Sequence, residues 1–122
     1  SGGSSSGSAV SVSRNYCLAS IGSDTGGSVR IPAAWNNLVG LKTTHHIIDL
    51  TGVLKLCPNF DTLGPICKSV EDSHFLFDAM TNAKFQKPKK LKPENFKFLV
   101  IKNMFFENKL NLFQNYQMDM KL

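Results

Sequence analysis

A turn-rich loop with two adjacent glycines, residues 22–32, constrains this chain more than any other stretch. It reads Gly-Ser-Asp-Thr-Gly-Gly-Ser-Val-Arg-Ile-Pro and lies between apolar segments. The paired glycines Gly26 and Gly27 let the backbone bend sharply and leave the N–H groups around them uncovered. Such a loop suits a cradle for an oxyanion, formed by the N–H groups of Thr25, Gly26, Gly27 and Ser28, and it would bind any other anion equally well. We interpret Ser28 as a nucleophile.

A second cluster of small residues opens the chain, Gly-Gly-Ser-Ser-Ser-Gly-Ser over residues 2–8. By itself this composition is typical of a flexible linker. However, Ser4 lies 24 residues before Ser28, and a linker has no reason to keep such a spacing from a second motif. A phosphate-binding loop is excluded because Ser8 stands where that motif requires lysine.

The two clusters closely resemble the two serine motifs of the amidase signature family. In that family a Gly-Gly-Ser-Ser motif supplies one serine, and an Asp-Thr-Gly-Gly-Ser motif supplies the nucleophile at the same separation. The likeness covers residues 2–82. It continues through shorter matches at residues 29–34, 39–42, 52–53, 60–65 and 69–72. It implies an α/β fold in which helices cover a large mixed sheet.

The resemblance also implies a Ser, cis-Ser, Lys triad that hydrolyses a carboxylic acid amide through a serine acyl-enzyme. Ser28 is then the nucleophile, Ser4 is the bridging serine of the proton relay, and the N–H groups of residues 25–28 form the oxyanion hole. Ser5 is expected to orient Ser4. The triad lysine would lie ahead of Ser1, so we expect the chain to be an internal or truncated piece of a longer enzyme, inactive by itself.

Two charged residues flank the loop and match family positions that stabilise it. Asp24 and Arg30 are expected to act through hydrogen bonds and charge rather than proton transfer. The alternative for Asp24 is that it simply closes an Asx-type turn.

The resemblance favours a general amidase that acts on a small-molecule amide. Phe60, Asp61 and Thr62 stand where the corresponding subunits of tRNA-dependent amidotransferases usually have Leu-Asp-Gln. No cofactor and no metal are expected, and a homo-oligomer of the full-length parent is left open. The alternatives are a tRNA-dependent amidotransferase subunit within the family, or a non-catalytic remnant or basic binding module.

The pattern of apolar residues and turn residues predicts short elements throughout. Residues 16–21 form an apolar run that predicts a buried strand leading into the loop. Ser69 and Asp72 approximate a capping box, which predicts a helix that Asn82 would end. Its apolar face is expected in the core: Phe75, Leu76, Ala79 and Met80. Further elements are predicted as helices over residues 5–13 and from Pro32, and strands within residues 38–41 and 60–66.

The cysteines and the adjacent histidines offer little chemistry of their own. The chain has an odd number of cysteines, Cys17, Cys57 and Cys67, and none of them form a CxxC motif. Both observations argue against a disulfide framework and a zinc site. His45 and His46 are not expected to serve one site, because neighbouring side chains on an extended chain point in opposite directions.

The positive charge of the chain is concentrated in one segment. Residues 84–102 hold seven lysines against one glutamate, a local charge of +6, whereas the other residues sum to −1. No aromatic residue interleaves the lysines between Lys87 and Lys92, so a solvated linker is favoured over a nucleic-acid patch, and no specific nucleic-acid partner is expected.

We therefore divide the chain into a partial amidase signature domain (1–83), a basic linker (84–95) and a truncated continuation of the domain (96–122). In the continuation we expect a strand over residues 96–101 and a weak helix over residues 112–120. The chain has no run of 18 apolar residues, so no membrane partner is expected and the cytoplasm is the default location.

Overall fold

Three helices and three short strands make up residues 1–81, the part of the chain that the computed structural model describes. In chain order they are α1 (Ser6–Ser13), β1 (Ser20–Asp24), α2 (Arg30–Trp35), β2 (Val39–Gly40), β3 (Thr62–Cys67) and α3 (Val70–Thr81). The expectations for Asn82, the lysine-rich segment, the strand over 96–101 and the helix over 112–120 lie outside the described residues. The proposed domain boundaries therefore stay predictions.

The strands form one sheet with β3 in the middle, in the order β1-β3-β2. Both pairings are antiparallel, with Gly22 opposite Gly64 in one and Val39 opposite Cys67 in the other. Glycine at position 64 is a packing requirement, because a Cβ there would overlap the carbonyl oxygen of Leu41. The sheet with its helices confirms the α/β class, although the strands described here are all antiparallel.

Small side chains bring the helices close to the sheet. The core consists of Ala9 from α1, Ala33 from α2, Ile66 from β3, and Val29, with Leu38 packed against it. Alanines at these positions let the helix backbones approach the strands, since burial of such compact side chains leaves little space between elements. Through Val29 and Ala33 the core anchors the α2 end of the segment that joins β1 to α2.

The strand predicted over residues 16–21 is wrong for residues 16–19. Helix α1 ends in a Schellman motif: Asn15 adopts a left-handed φ of 62°, and the N–H groups of Tyr16 and Asn15 donate to the carbonyls of Ser11 and Val12. This closure folds the chain back on the helix, so β1 begins only at Ser20. Tyr16 is consequently 81% exposed rather than buried.

The helix predicted from Ser69 is confirmed, but its predicted core face is wrong in part, since Leu76 and Met80 are half-buried while Phe75 and Ala79 are exposed. The Ser69 hydroxyl accepts a hydrogen bond of 3.0 Å from the N–H of Asp72 and so caps α3. The buried side chains of the helix are Ser73 and Phe77, whereas Phe75 is 80% exposed. The reason lies in the tertiary packing, because within residues 1–81 the helix packs against β3 and β2.

The two adjacent histidines also depart from expectation. Their ring centroids lie 3.7 Å apart, because His46 adopts a φ of 65° in a turn and the chain is not extended there. The Nε2 atom of His45 lies 2.8 Å from the carbonyl oxygen of Pro58. The His45 ring therefore links the turn to a neighbouring loop.

The helices of residues 1–81 are all too short or too polar to cross a bilayer.

Candidate active site

The two serine clusters meet directly in the structure. The backbone N–H of Ser5 donates a 3.1 Å hydrogen bond to the carbonyl oxygen of Ser28, and the Ser5 hydroxyl donates to the carbonyl oxygen of Ser23 at 3.3 Å. Gly22 lies so close that a Cβ there would come within 2.6 Å of the Ser5 hydroxyl oxygen. The two clusters are thus in contact in the folded chain, through Ser5 at the start of α1 and residues 22–28 at and beyond the end of β1.

The first cluster is fixed in place by backbone contacts. Gly2 has a φ of 68° and packs tightly on Pro32 of α2, while the Asn36 side chain donates to the carbonyl oxygen of Ser1 at 2.9 Å. The Gly3–Ser4 peptide bond is cis, and the Ser4 residue is exposed.

Ser5 is predicted to orient Ser4, and this role stays a prediction. Within residues 1–81 its hydrogen bonds run to Ser28 and Ser23 and to the N–H of Ala9, and none runs to the Ser4 side chain. The observed contacts therefore give Ser5 a part in joining the two clusters.

The second cluster forms a loop between β1 and α2, which we call the glycine loop (residues 24–30). The N–H groups of residues 25–28 donate to no acceptor among residues 1–81, whereas the next two N–H groups, those of Val29 and Arg30, are both bonded to Asp24. Gly27 has a φ of 141°, and Ser28 is half-buried. Four successive uncommitted donors beside a serine hydroxyl suit a developing anion.

Asp24 holds the glycine loop from inside. Its side chain is fully buried, and one carboxylate oxygen accepts from the N–H groups of Val29 and Arg30 at 3.1 and 3.3 Å. The Arg30 guanidinium binds the same carboxylate with two nitrogens, each at 3.1 Å. These bonds reach five and six residues ahead, so they span the whole loop and are wider than the Asx-type turn considered as the alternative.

The electrostatics keep this carboxylate ionised. Burial by itself raises the pKa of Asp24, but the hydrogen bonds from Arg30, Val29 and Lys42 outweigh it and hold the pKa well below its ordinary value. The same ion pair raises the pKa of Arg30, with its hydrogen bond to Asp24 as the main cause. A permanently charged pair therefore closes the base of the loop.

Lys42, which lies just after β2, reaches the other side of the loop. Its ammonium group donates to the carbonyl oxygens of Asp24 at 2.6 Å, Phe60 at 2.9 Å and Thr25 at 3.1 Å. It also lies 3.3 Å from a carboxylate oxygen of Asp24. The ammonium is thus surrounded by hydrogen-bond acceptors, an environment that suits a donor rather than a base.

Asp61 ties the glycine loop to the segment before β3. Its carboxylate accepts hydrogen bonds from the Thr25 hydroxyl and from the N–H groups of Leu56 and Cys57. These bonds lower the pKa of Asp61, and the one from Thr25 has the largest effect. The adjacent Thr62 hydroxyl donates to the carbonyl oxygen of Asp24 at 2.9 Å.

No group of three or more His, Cys, Asp or Glu side chains within residues 1–81 could hold a metal ion. The three cysteines of the chain are unpaired, and Cys67 is buried.

The glycine loop, its ion pair and the serine contact lie in a segment that matches a known protein family. Residues 1–110 match the model of a family described as Amidase. The chain belongs to the Amidase family.

Curated Amidase relatives include proteins named as a subunit of Glutamyl-tRNA(Gln) amidotransferase. The one from Helicobacter pylori is 48% identical over 80 residues, which are 66% of this chain and 18% of the relative. The one from Ruminiclostridium cellulolyticum is 44% identical over 94 residues, which are 77% of this chain and 19% of the relative. The chain therefore spans less than a fifth of the length of these relatives.

Solved structures of the same family have the same fold. A crystal structure titled as an amidase superposes with a TM-score of 0.64 at 48% identity, covering 66% of this chain and 18% of that one. The corresponding Glutamyl-tRNA(Gln) amidotransferase subunit from Thermotoga maritima gives a TM-score of 0.64 at 42% identity, covering 65% of this chain and 18% of that one.

Within this Amidase segment, three residues of the site escape prediction from the sequence. The sequence assigns no role to Lys42, and it uses Asp61 and Thr62 only to distinguish subfamilies. The signal that points to Asp61 and Thr62 is that polar residues lie beside the apolar strand β3, where burial demands partners. For Lys42 the sequence has no such signal, because its acceptors are backbone carbonyls far away in the chain.

Proposed function

We propose that this segment carries the nucleophile of an amidase, with Ser28 attacking the carbonyl carbon of an amide. The observation that carries the proposal is the set of four N–H groups, residues 25–28, that have no acceptor within residues 1–81 and lie beside the Ser28 hydroxyl. An oxyanion formed at the attacked carbonyl would be stabilised there, and loss of one such donor typically costs on the order of 3 kcal/mol of transition-state stabilisation.

The proposed reaction has two halves. Ser28 Oγ forms a bond to the carbonyl carbon while its proton passes to the bridging serine Ser4, and Ser4 passes its own proton to a base. The carbon–nitrogen bond then breaks, and ammonia or an amine leaves with a proton returned through the same relay. Water then cleaves the acyl-enzyme and regenerates the Ser28 hydroxyl. The contact between Ser5 and Ser28 supports this pairing, because it holds the cluster that contains Ser4 against the glycine loop.

The base that receives the proton is proposed to be a lysine from outside this chain. Lys42 is the lysine whose ammonium lies nearest the glycine loop in residues 1–81, but its donors are engaged by carbonyl oxygens and by Asp24. A serine hydroxyl is a weak nucleophile without a base. The 122-residue chain is therefore proposed to be inactive alone and active as part of a full-length protein.

The proposed substrate is a small carboxylic acid amide. A second candidate function, that of a tRNA-dependent amidotransferase subunit, is favoured by the names of the curated relatives. Against it, Thr62 replaces the glutamine usual in those subunits, and here the Thr62 hydroxyl bonds to the backbone of the glycine loop. The two candidates share the Ser28 chemistry and differ in what accepts the amide nitrogen.

The experiment labels the full-length protein with a fluorophosphonate probe and maps the modified peptide. Ser28→Ala should abolish labelling and turnover of simple aliphatic and aryl amides while the fold is retained, and Ser4→Ala should slow both severely. Labelling at another residue, or full activity of Ser28→Ala, would refute the proposal. Turnover that requires added partner subunits and glutamyl-tRNA(Gln) would instead support the amidotransferase candidate.

A further inference from the structure

The carbonyl oxygens of the first residues of the glycine loop point toward the Lys42 ammonium. Its three shortest contacts are to carbonyl oxygens, and two of these belong to the loop, Asp24 at 2.6 Å and Thr25 at 3.1 Å. The third, Phe60 at 2.9 Å, comes from the chain that leads into β3. A single ammonium therefore fastens two successive peptide units of the loop to the sheet.

Because a peptide group is planar, the direction of each carbonyl fixes the direction of the N–H group in the same peptide unit. The carbonyl of Asp24 shares a plane with the N–H of Thr25, and the carbonyl of Thr25 shares one with the N–H of Gly26. In a trans peptide the two groups point in opposite directions, and both of these peptide bonds are trans. With their oxygens on Lys42, the N–H groups of Thr25 and Gly26 are directed away from it, and neither meets an acceptor within residues 1–81.

We propose that Lys42 is a positioning residue that orients the peptide units of Thr25 and Gly26 so that their N–H groups face the oxyanion, an inference that rests on the proposed function. Its charge also polarises both peptide groups, because a cation on a carbonyl oxygen draws electron density from the attached nitrogen and strengthens the N–H as a donor. Lys42 itself touches no reacting atom.

Thr62 supports the same peptide from a second direction. It is buried, and its hydroxyl donates to the carbonyl oxygen of Asp24 at 2.9 Å while it lies 3.3 Å from the Lys42 ammonium. Replacement of Thr62 by valine removes the hydroxyl and keeps the branched shape. This residue therefore offers a second, milder way to loosen the same peptide units.

The experiment uses the full-length protein and compares Lys42→Met with Lys55→Met, which removes an exposed lysine. Three quantities are measured: the rate constant for fluorophosphonate labelling of Ser28, the affinity for a boronic acid that places an oxygen in the oxyanion hole, and the affinity for the corresponding carboxylic acid product. Lys42→Met should lower the first two by about 10-fold or more, with product affinity changed by less than about 2-fold. Lys55→Met should match the wild type.

A uniform loss of boronic acid and product affinity in Lys42→Met would overturn the inference, because it would indicate general damage to the site. So would a Lys42→Met protein that binds the boronic acid as the wild type does. If Lys42→Met does not fold, Thr62→Val decides: a selective loss of boronic acid affinity of about 3-fold or more supports the inference, and wild-type affinity refutes it. Full activity of Ser28→Ala would instead refute the proposed function.

Discussion

The backbone N–H of Ser5 donates a hydrogen bond to the carbonyl oxygen of Ser28 at 3.1 Å, and this bond joins two serine clusters from opposite ends of an α1–β1 unit. Because the bond is between main-chain atoms, it survives any substitution of either side chain except proline at position 5. The relative position of the clusters is therefore a property of the backbone. Substitution of the Ser4 or Ser28 side chain should therefore change the activity more than the stability of the fold.

Asp24→Asn should destabilise the fold, because an amide cannot replace a buried carboxylate that accepts from Arg30, Lys42 and two backbone N–H groups. We expect a loss of about 2 kcal/mol in the free energy of unfolding, less than for a fully buried pair since the Arg30 side chain is half exposed. Urea unfolding of the wild type and of Asp24→Asn measures this difference in the free energy of unfolding. Asp49→Asn is the matched control, an exposed aspartate that accepts hydrogen bonds from nearby Thr51, and it should change stability little.

The same carboxylate predicts a pH dependence of stability. The pKa of Asp24 is lower in the folded state than in the unfolded state, where it is about 3.9, so the unfolded chain takes up the proton first as the pH falls. The stabilisation is complete above about pH 5 and is lost progressively below about pH 4. Unfolding curves between pH 2 and pH 6 should show a smaller acid loss for Asp24→Asn than for the wild type, and an equal loss would contradict this assignment.

Gly64→Ala should be strongly destabilising, since the added Cβ would overlap the carbonyl oxygen of Leu41 where the chain leaves β2. We expect a loss of about 2 kcal/mol or more, as for overpacked sites that must move backbone. Gly7→Ala is the control: it lies in α1, where no atom is within 4 Å of the new Cβ. It should stabilise by up to about 1 kcal/mol through helix propensity, so thermal unfolding should shift in opposite directions for the two variants.

Gly27→Ala should impair the site more than the fold. Gly27 has a φ of 141°, which strains any residue that has a side chain, and an added Cβ would also come within 2.7 Å of the Ile31 side chain, so we expect the backbone next to Ser28 to shift. A small displacement of a reacting group costs up to about 100-fold in rate, and we expect at least about 10-fold slower fluorophosphonate labelling of Ser28 in the full-length protein. Gly52→Ala, with a φ of 82° and open space around it, should label at the wild-type rate.

Cys67 should resist alkylation in the folded 122-residue chain. It is fully buried, and burial raises the pKa of its thiol, with the nearby Asp72 carboxylate adding to the effect. Cys17 and Cys57 are only half-buried. Iodoacetamide followed by peptide mapping should modify these two first and reach Cys67 only after unfolding, and early modification of Cys67 would show that β3 opens in the native state.

Local signals in the sequence are sufficient to predict several elements. Ser69 predicts the start of α3 because a hydroxyl placed before a helix bonds its first turn, and the structure has that bond. The two serine motifs are recognisable because their glycines and hydroxyls recur with fixed spacing. The positions of α2, β2 and β3 likewise agree with the predictions from short apolar runs.

Other features depend on contacts that no local pattern encodes. The run at residues 16–21 is apolar enough for a strand, yet the Schellman motif at Asn15 bonds Tyr16 back to α1 and delays the strand to Ser20. The apolar side of α3 is clear from spacing, but which side faces the sheet depends on how β3 and β2 lie beneath it. Periodicity shows that a helix has an apolar face and does not show what covers that face.

The sequence by itself determined the family, the two serine motifs and the loop with uncommitted N–H groups, because these depend on residue types at short range. Only the tertiary structure decided what holds that loop. Asp24 holds it from within, and Lys42 and Asp61 reach it from two other segments, through hydrogen bonds that mostly involve backbone atoms. Every residue other than proline carries the same backbone N–H and C=O groups, so such contacts leave no mark in a single sequence and are visible only once the chain is folded.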